Sequence, residues 1–256
     1  MRKFLGYILT PFGLAAFFLL LIIFQPLQWV AYKYFGYSGH KKVVDLLNLG
    51  LFRTFNILGN RIIFINKQNL PLNRPMIFTA NHQSLTDIPA LIYYLRKYHA
   101  KFISKVELTK NIPSISFNLK YGGGANIDRG DSRQSVTEIA KLGKRMHDNK
   151  WSALIFPEGT RSKDGMVKEF QVGGIATILK KCPEALIVPV AIKNSWKMVR
   201  YGLYPLNTFI TMTWEVLPPI DPTGRKAEDV VKEAEDMIKT KLGQSTTNDL
   251  SGVNAL

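Results

Sequence analysis

Apolar and polar positions change rhythm twice along this chain. From Phe4 to Tyr32 there is no charged side chain, and Phe12 to Phe24 is almost wholly apolar. A run of that composition predicts a helix in or against a bilayer. Pro11 and Pro26 bracket 14 residues. Taken strictly, that is ~21 Å of helix, short of the roughly 30 Å hydrocarbon core. Taken loosely, Pro11 opens the first turn, Pro26 kinks the helix, and the segment is long enough to cross. Both readings stay open. No small-residue cleavage site with polar residues after it follows the run, so a removable signal peptide is not expected. Arg2 and Lys3 precede the run, and Lys33, Lys41 and Lys42 follow it. Basic residues at both ends favour a segment that enters and returns on one face, the cytoplasmic one. From Val43 to Leu58 the spacing of Val44, Leu47, Leu51 and Phe55 is helical, against a polar side of Asp45, Asn48 and Arg53. This predicts an amphipathic helix on the bilayer or packed on the first segment.

After residue 60 short apolar runs alternate with longer helical patterns. Strands are predicted at Arg61–Asn66, Met76–Ala80, Lys101–Ser104, Trp151–Phe156, Leu186–Ile192 and Thr208–Val216, with a further strand and charged turn over Ala125–Arg129. Pro189 inside Leu186–Ile192 predicts an edge-like or bulged strand. Helices are predicted at Leu85–Tyr98, Ile112–Leu119, Ser132–Asn149, Gly173–Lys181 and Lys226–Lys241, the second of them near the membrane. The helix from Ser132 has Val136, Ile139, Leu142 and Met146 as its inward stripe. Gly122-Gly123-Gly124 reads as a flexible break. The alternation predicts an α/β fold with a mixed, mostly parallel sheet flanked by helices, preceded by an N-terminal membrane-associated helical segment. The expected division is 1–59 for the membrane-associated helices, 60–242 for the α/β domain and 243–256 for a disordered tail.

Charge narrows the partners. Lys and Arg number 34 against 19 Asp and Glu, a formal net charge of +15. That favours an anionic membrane surface, a phosphorylated substrate or nucleic acid. Nucleic acid is not expected, because no zinc-finger or helix-turn-helix pattern is present. A single cysteine, Cys182, excludes an intrachain disulfide.

Candidate chemistry gathers where apolar runs end. Met76–Ala80 empties into Asn81-His82, and Ser84 then reads as a helix N-cap with Asp87 three positions on. A turn between the two lets the carboxylate fold back on the imidazole. Histidine takes a proton near neutrality, and a carboxylate on its far nitrogen fixes the tautomer, so the pair can deprotonate an alcohol. Lys105, Arg129 and the Glu158-Gly159-Thr160-Arg161 loop also follow apolar runs. Strand ends of one sheet cluster in space, and converging cations make a phosphate site. No metal is expected, since His40, His99 and His147 lie in no ligand-spaced cluster.

Asn81-His82-Gln83-Ser84-x-x-Asp87 resembles the His-x4-Asp motif of the glycerolipid acyltransferases, and Phe156-Pro157-Glu158-Gly159-Thr160-Arg161-Ser162 resembles their second signature. Ile127-Asp128-Arg129 and Ile187-Val188-Pro189-Val190 resemble the blocks between and after, in the same order. The similarity runs from about residue 60 to 215. It implies transfer of an acyl group from an acyl thioester (acyl-CoA or acyl carrier protein, with no other cofactor) to the 2-hydroxyl of lysophosphatidic acid. It implies His82 as general base, Asp87 as its orienter, and attack without a covalent enzyme intermediate. Arg129 and Arg161, with Lys105, would bind the acceptor phosphate. Glu158 would help hold the acceptor glycerol, or else balance neighbouring cations. Gly159, with Thr160 beside it, would let backbone approach a ligand. Gly124-Ala125-Asn126 stands where bulkier apolar residues often precede Ile-Asp-Arg, a departure that can alter the acceptor pocket. Three rival readings remain: the same chemistry on another lysolipid or an amino-acid lipid, a non-catalytic basic membrane-tethered binding protein, and a metal hydrolase.

Overall fold

The computed structural model describes residues 1–245, so most of the predicted tail lies outside the described residues. Gln244, placed in that tail by composition, is instead anchored: its side chain accepts from Val167 N at 2.8 Å and donates to Gly165 O at 2.9 Å.

Seven strands, β1 (Arg61–Asn66), β2 (Met76–Ala80), β3 (Ala100–Lys105), β4 (Ala125–Ile127), β5 (Ser152–Ile155), β6 (Leu186–Lys193) and β7 (Thr211–Val216), form one sheet in the order β1-β7-β6-β2-β5-β3-β4. All neighbours run parallel except β6 and β7. Every residue of the central β2 is buried. Its side chains divide by the period of two: Met76, Phe78 and Ala80 join the core on one face, Ile77 the core on the other. The first face is covered by α1 (Arg2–Thr54) and α2 (Asp87–Tyr94), the second by α4 (Ser132–Asn149), α5 (Val172–Leu179) and α7 (Ala227–Leu242). Between them in the chain come α3 (Ile115–Tyr121), which packs on α1, and the single-turn α6 (Ser195–Met198) after β6.

The internal proline of β6 does not mark an edge, but it does mark a bulge: between the Ile187–Ile220 and Val190–Val216 pairs, two residues of β6 stand opposite three of the chain after β7. β6 is flanked by β2 on one side and β7 on the other. Its ladder with β7 begins only at Val190, while Leu217 N donates to Pro189 O and Ile187 pairs with Ile220. The missing N–H thus falls where the β7 ladder has a gap, and nothing is lost. In α4 the inward stripe is Ile139, Leu142 and Met146, whereas Val136 is 54% exposed. The glycines before β4 are packed, not flexible: a Cβ on Gly124 would lie 2.6 Å from Phe102 O, and one on Gly123 2.8 Å from the Trp151 ring. The small residues in this block are explained by that close approach to β3.

Both prolines of the apolar run sit inside α1, and the helix reverses only at Gly36 (φ 59°, ψ −152°). The outcome is a hairpin of two limbs, 2–35 and 37–54. Gly13 faces Leu58, Gly50 faces Leu20, and Gln28 bonds His40, so the limbs run antiparallel. The predicted amphipathic helix is the return limb. The first limb also packs on the domain along its length, from Gly6 against Leu206 to Leu21 and Gln28 against Ser114. Its outer face leaves Phe4, Phe12, Phe18, Ile22, Trp29 and Phe35 exposed. A contiguous apolar strip of that kind is a membrane-association surface.

Candidate active site

The chain leaves β2 into a turn whose polar atoms are almost all committed. Asn81 reaches across to β6, donating to Ile192 O at 2.9 Å and accepting from Ile192 N at 2.7 Å. Gln83 accepts from Ser195 N at 3.0 Å and donates to Gly165 O at 3.4 Å. Between these two clamps stands His82. Its Nδ1 lies 2.9 Å from Asp87 Oδ2, and its ring stacks on Phe156 at 4.0 Å between centroids. Asp87 is fully buried, and its Oδ2 also accepts from Gln83 N at 2.8 Å and Ser84 N at 2.9 Å. With two backbone N–H groups donating to it, Asp87 Oδ2 is an acceptor toward the ring as well, so Nδ1 carries the hydrogen and Nε2 keeps its lone pair. Asp87 opens α2, where the helix dipole favours negative charge.

Helix α2 starts at Asp87, with Thr86 rather than Ser84 at the cap position. Ser84, two residues earlier, makes half of a capping box: Asp87 takes the Ser84 amide, while the Ser84 hydroxyl accepts from Thr86 N at 3.1 Å.

The second motif grips the first. Glu158 Oε1 accepts from His82 N at 2.9 Å, and Ser162 N donates to His82 O at 2.8 Å. The peptide groups on both sides of the imidazole are thus held by the loop after β5. Glu158 is 8% exposed and bonds backbone amide where an ion pair was the alternative. Burial pushes it up to about 7, partly offset by the amides of His82 and Lys168. Its Oε2 is buried without a partner among the described residues. Gly159 takes φ 69°, which closes the turn back on Phe156 O and leaves open space beside it. Thr160 Oγ1 and Arg161 O both accept from Lys168 Nζ at 2.9 Å.

Topology places the cations. β2, β5, β3 and β4 are parallel and adjacent, so their C-terminal ends share one edge of the sheet. Lys105 ends β3 opposite Ile127, which ends β4, and Arg129 follows two residues later. Arg161 follows β5. All three side chains are exposed and, among the described residues, none forms an ion pair. The turn bearing Arg129 is fixed from α4, where Gln134 donates to Asn126 O and accepts from Asp128 N.

From this edge a cavity of about 420 Å³ runs between α1, α2, α3 and β3. Leu85 and Ser104 line it beside the His82 turn, Ile88, Ile92 and Phe102 along its length, and the start of β3 at its far end. Nothing in the periodicity of α1 or α2 distinguished these cavity-facing positions from ordinary core. Asn81, Gln83, Phe156 and Lys168 were also missed as supports. The signal available was that Asn81, Gln83 and Phe156 fall inside the two motifs themselves.

One His/Cys/Glu cluster exists among the described residues, contrary to the sequence spacing: His147, Cys182 and Glu184 bring ligand atoms within 4.8 Å of one another. It lies at the strand-start edge, away from His82. Glu184 is already bonded to His147 at 2.8 Å and Lys150 at 3.2 Å, and burial, then Glu184, pushes the Cys182 thiol up to about 12.

Comparisons with known proteins agree with this geometry. A family model described as Acyltransferase matches residues 61–193. The chain is 31% identical over 189 residues to a 1-acyl-sn-glycerol-3-phosphate acyltransferase of Chlamydomonas reinhardtii, covering 71% of this chain and 53% of that protein. It is 31% identical over 194 residues to human 1-acyl-sn-glycerol-3-phosphate acyltransferase beta, covering 75% and 68%. It spans about half the length of the first curated relatives it matches. The crystal structure of the 1-acyl-sn-glycerophosphate (LPA) acyltransferase PlsC from Thermotoga maritima superposes with a TM-score of 0.78 at 25% identity, covering 94% of this chain and 96% of that one.

Proposed function

Since the chain belongs to the acyltransferase family, we propose that it moves a fatty acyl group from an acyl thioester to the 2-hydroxyl of 1-acyl-glycerol-3-phosphate, giving phosphatidic acid. The observation that carries this reading is the His82–Asp87 pair at 2.9 Å on the sheet edge that also bears Lys105, Arg129 and Arg161.

His82 Nε2 takes the proton as the acceptor oxygen attacks the thioester carbonyl. The C–O bond forms, the C–S bond breaks, and the departing thiolate recovers the proton from the imidazolium. Asp87 stabilises that imidazolium without taking its proton. General-base help of this kind is worth about 10²- to 10⁴-fold. Arg129 and Arg161, with Lys105, grip the acceptor phosphate. Glu158 holds the His82 amide through Oε1 and offers Oε2 to the acceptor glycerol. The cavity takes the acyl chain, its mouth beside the reacting carbonyl. The donor is acyl-CoA or acyl-loaded carrier protein; both are anionic and suit a chain of net charge +15.

The hairpin seats the enzyme on one leaflet. Its first limb is packed on the domain from Gly6 to Gln28, so it cannot cross a bilayer apart from that domain. Cations at both ends of the apolar run, Arg2, Lys3 and Lys33 among them, support a cytoplasmic face for the domain.

The test is purified protein in detergent with labelled acyl-CoA or acyl-loaded carrier protein. Acceptors are lysophosphatidic acid, another lysophospholipid and an amino-acid lipid. Wild type should acylate lysophosphatidic acid first and His82→Ala should not. Equal activity of the two proteins would overturn the reading.

A further inference from the structure

The apolar outer face of the hairpin does not stop with the hairpin. Phe4, Tyr7 and Ile8 lie at helical spacing on the same stripe as Phe12, and all four are exposed. There the stripe meets the connection between β6 and β7. The Tyr204 ring touches the Tyr7 ring edge to face at 5.5 Å between centroids, and Lys3 Nζ lies 5.1 Å from the centre of the Tyr201 ring. Gly6 abuts the Leu206 carbonyl, an approach that a Cβ would block. The connection itself turns apolar side chains outward: Leu203 is 61% exposed and Tyr204 55%, with Tyr201 and Phe209 exposed as well. Two elements thus share one patch.

Polar atoms of the connection turn the other way, onto the hairpin. Tyr204 Oη donates to Tyr7 O at 3.2 Å. That carbonyl has no helical donor, because the residue four positions on is Pro11. Leu206 N donates to Thr10 Oγ1 at 2.9 Å, Thr208 Oγ1 to Arg2 O at 3.1 Å, Phe209 N to Leu58 O at 3.1 Å and Ile210 N to Asn60 Oδ1 at 2.8 Å. In water such groups find solvent. Against hydrocarbon each must be answered inside the protein, and here they are. Exposed cations stand beside the patch: Arg2 and Lys3 on the hairpin, Arg200 on the connection. Tyrosines over an apolar patch with arginine and lysine at its rim are the composition that a lipid–water interface with anionic headgroups selects.

Topology says which part of the domain this patch would bring to the lipid. β6 runs parallel to β2, and β7 runs back against β6, so the connection lies at the strand-end edge that bears His82. It begins at α6, whose Ser195 N donates to Gln83.

We propose that the β6–β7 connection is a second membrane contact, whose Tyr201, Leu203 and Tyr204 enter an anionic lipid surface beside the hairpin. A strip along one helical limb leaves the roll of the domain about that limb unset. A contact off its axis sets the roll and turns the His82 edge toward the headgroups.

Two measurements test this, and both read membrane contact whether or not acyl transfer occurs. In a Cys182→Ala background, an environment-sensitive dye is attached to the full chain through Leu203→Cys, Phe18→Cys or Lys180→Cys. Phe18 lies on the outer strip of the hairpin; Lys180 is exposed at the end of α5, on the other face of the sheet. Each protein is added to mixed phosphatidylcholine and phosphatidylglycerol vesicles, with and without a nitroxide-bearing lipid. Dye at position 203 should shift to the blue and be quenched by the nitroxide, as at position 18, while dye at position 180 keeps its emission in water. In the otherwise unchanged chain, Leu203→Ser should lower the vesicle partition coefficient by about tenfold, the order expected for withdrawing one leucine side chain from an apolar phase. Its melting in detergent should match wild type, since an exposed side chain is all that is lost. Water-like emission at position 203 on vesicles, or partitioning unchanged by Leu203→Ser, would overturn the proposal. A blue shift at 203 that needs no vesicles and escapes the nitroxide would also overturn it, since a second copy of the chain would then cover the patch.

Discussion

The turn around His82 and the cations beside it are built in opposite ways. In the turn, backbone and side chains are tied to three other parts of the chain: β6 through Asn81, α6 through Gln83, and the loop after β5 through both peptide groups of His82. At the neighbouring strand ends, Lys105, Arg129 and Arg161 extend exposed side chains that no carboxylate of the described residues holds. A base must meet one proton at one angle, so it gains from being fixed before the substrate arrives. A phosphate must enter and leave, so its grips gain from being free until it does. Under the proposed function, rate falls to the first region and affinity to the second.

The largest effect should come from breaking the fixed region. His82→Ala should lower kcat by about 10²- to 10⁴-fold with KM for the acceptor little changed, as steady-state kinetics would read. Asp87→Ala should match that loss and also unfold at lower denaturant. It strands the buried amides of Gln83 and Ser84, each orphaned donor costing about 1–3 kcal/mol.

The free region should fail in the other parameter. Arg129→Ala and Arg161→Ala should each raise KM for lysophosphatidic acid by about 10- to 100-fold, the range for a charge-assisted hydrogen bond, with a smaller change in kcat. A kcat loss without a KM change would mean that these arms do not hold the acceptor.

Glu158 lies between the two regions and sharpens the boundary. Its folded-state pKa is raised from an ordinary 4.5 to about 7. Between those values the folded state holds more protons than the unfolded one, so stability falls as pH rises through that window. Glu158→Gln should flatten this slope and raise Tm above pH 7, because an amide oxygen still accepts the His82 amide without a buried charge. Thermal melts at pH 5 and pH 8 would check it.

The smallest effect belongs to Lys105→Ala. A single exposed cation should change KM by a few-fold at most, and added salt should erase the difference.

How much of this was legible beforehand depended on how local each signal is. The strand Arg61–Asn66 and the helix Ser132–Asn149 were read to the residue, because each is bounded by residues that change its period abruptly. The pairing of His82 with Asp87 was legible because a turn and a helix start lie within six residues. The reversal of α1 was not. Pro11 and Pro26 are tolerated inside the helix, the Tyr7 carbonyl that Pro11 cannot bond accepting from Tyr204 Oη at 3.2 Å, while Gly36 does the turning. Pro189 is legible as a bulge but not as an interior position, because whether a missing N–H forces a strand to the edge depends on where a distant strand stops pairing. The cavity needed α1, α2 and β3 in place together, and no single segment of sequence carries that.

The reversal at Gly36 also has a consequence for the membrane itself. Under the proposed function, an enzyme seated on one leaflet takes its single-tailed acceptor from that monolayer and returns a two-tailed product to the same one. Each turnover adds a hydrocarbon tail to one side of the sheet of lipid and none to the other. Growth by this route is lopsided, and the area imbalance must be relieved by a separate process that carries phospholipid across.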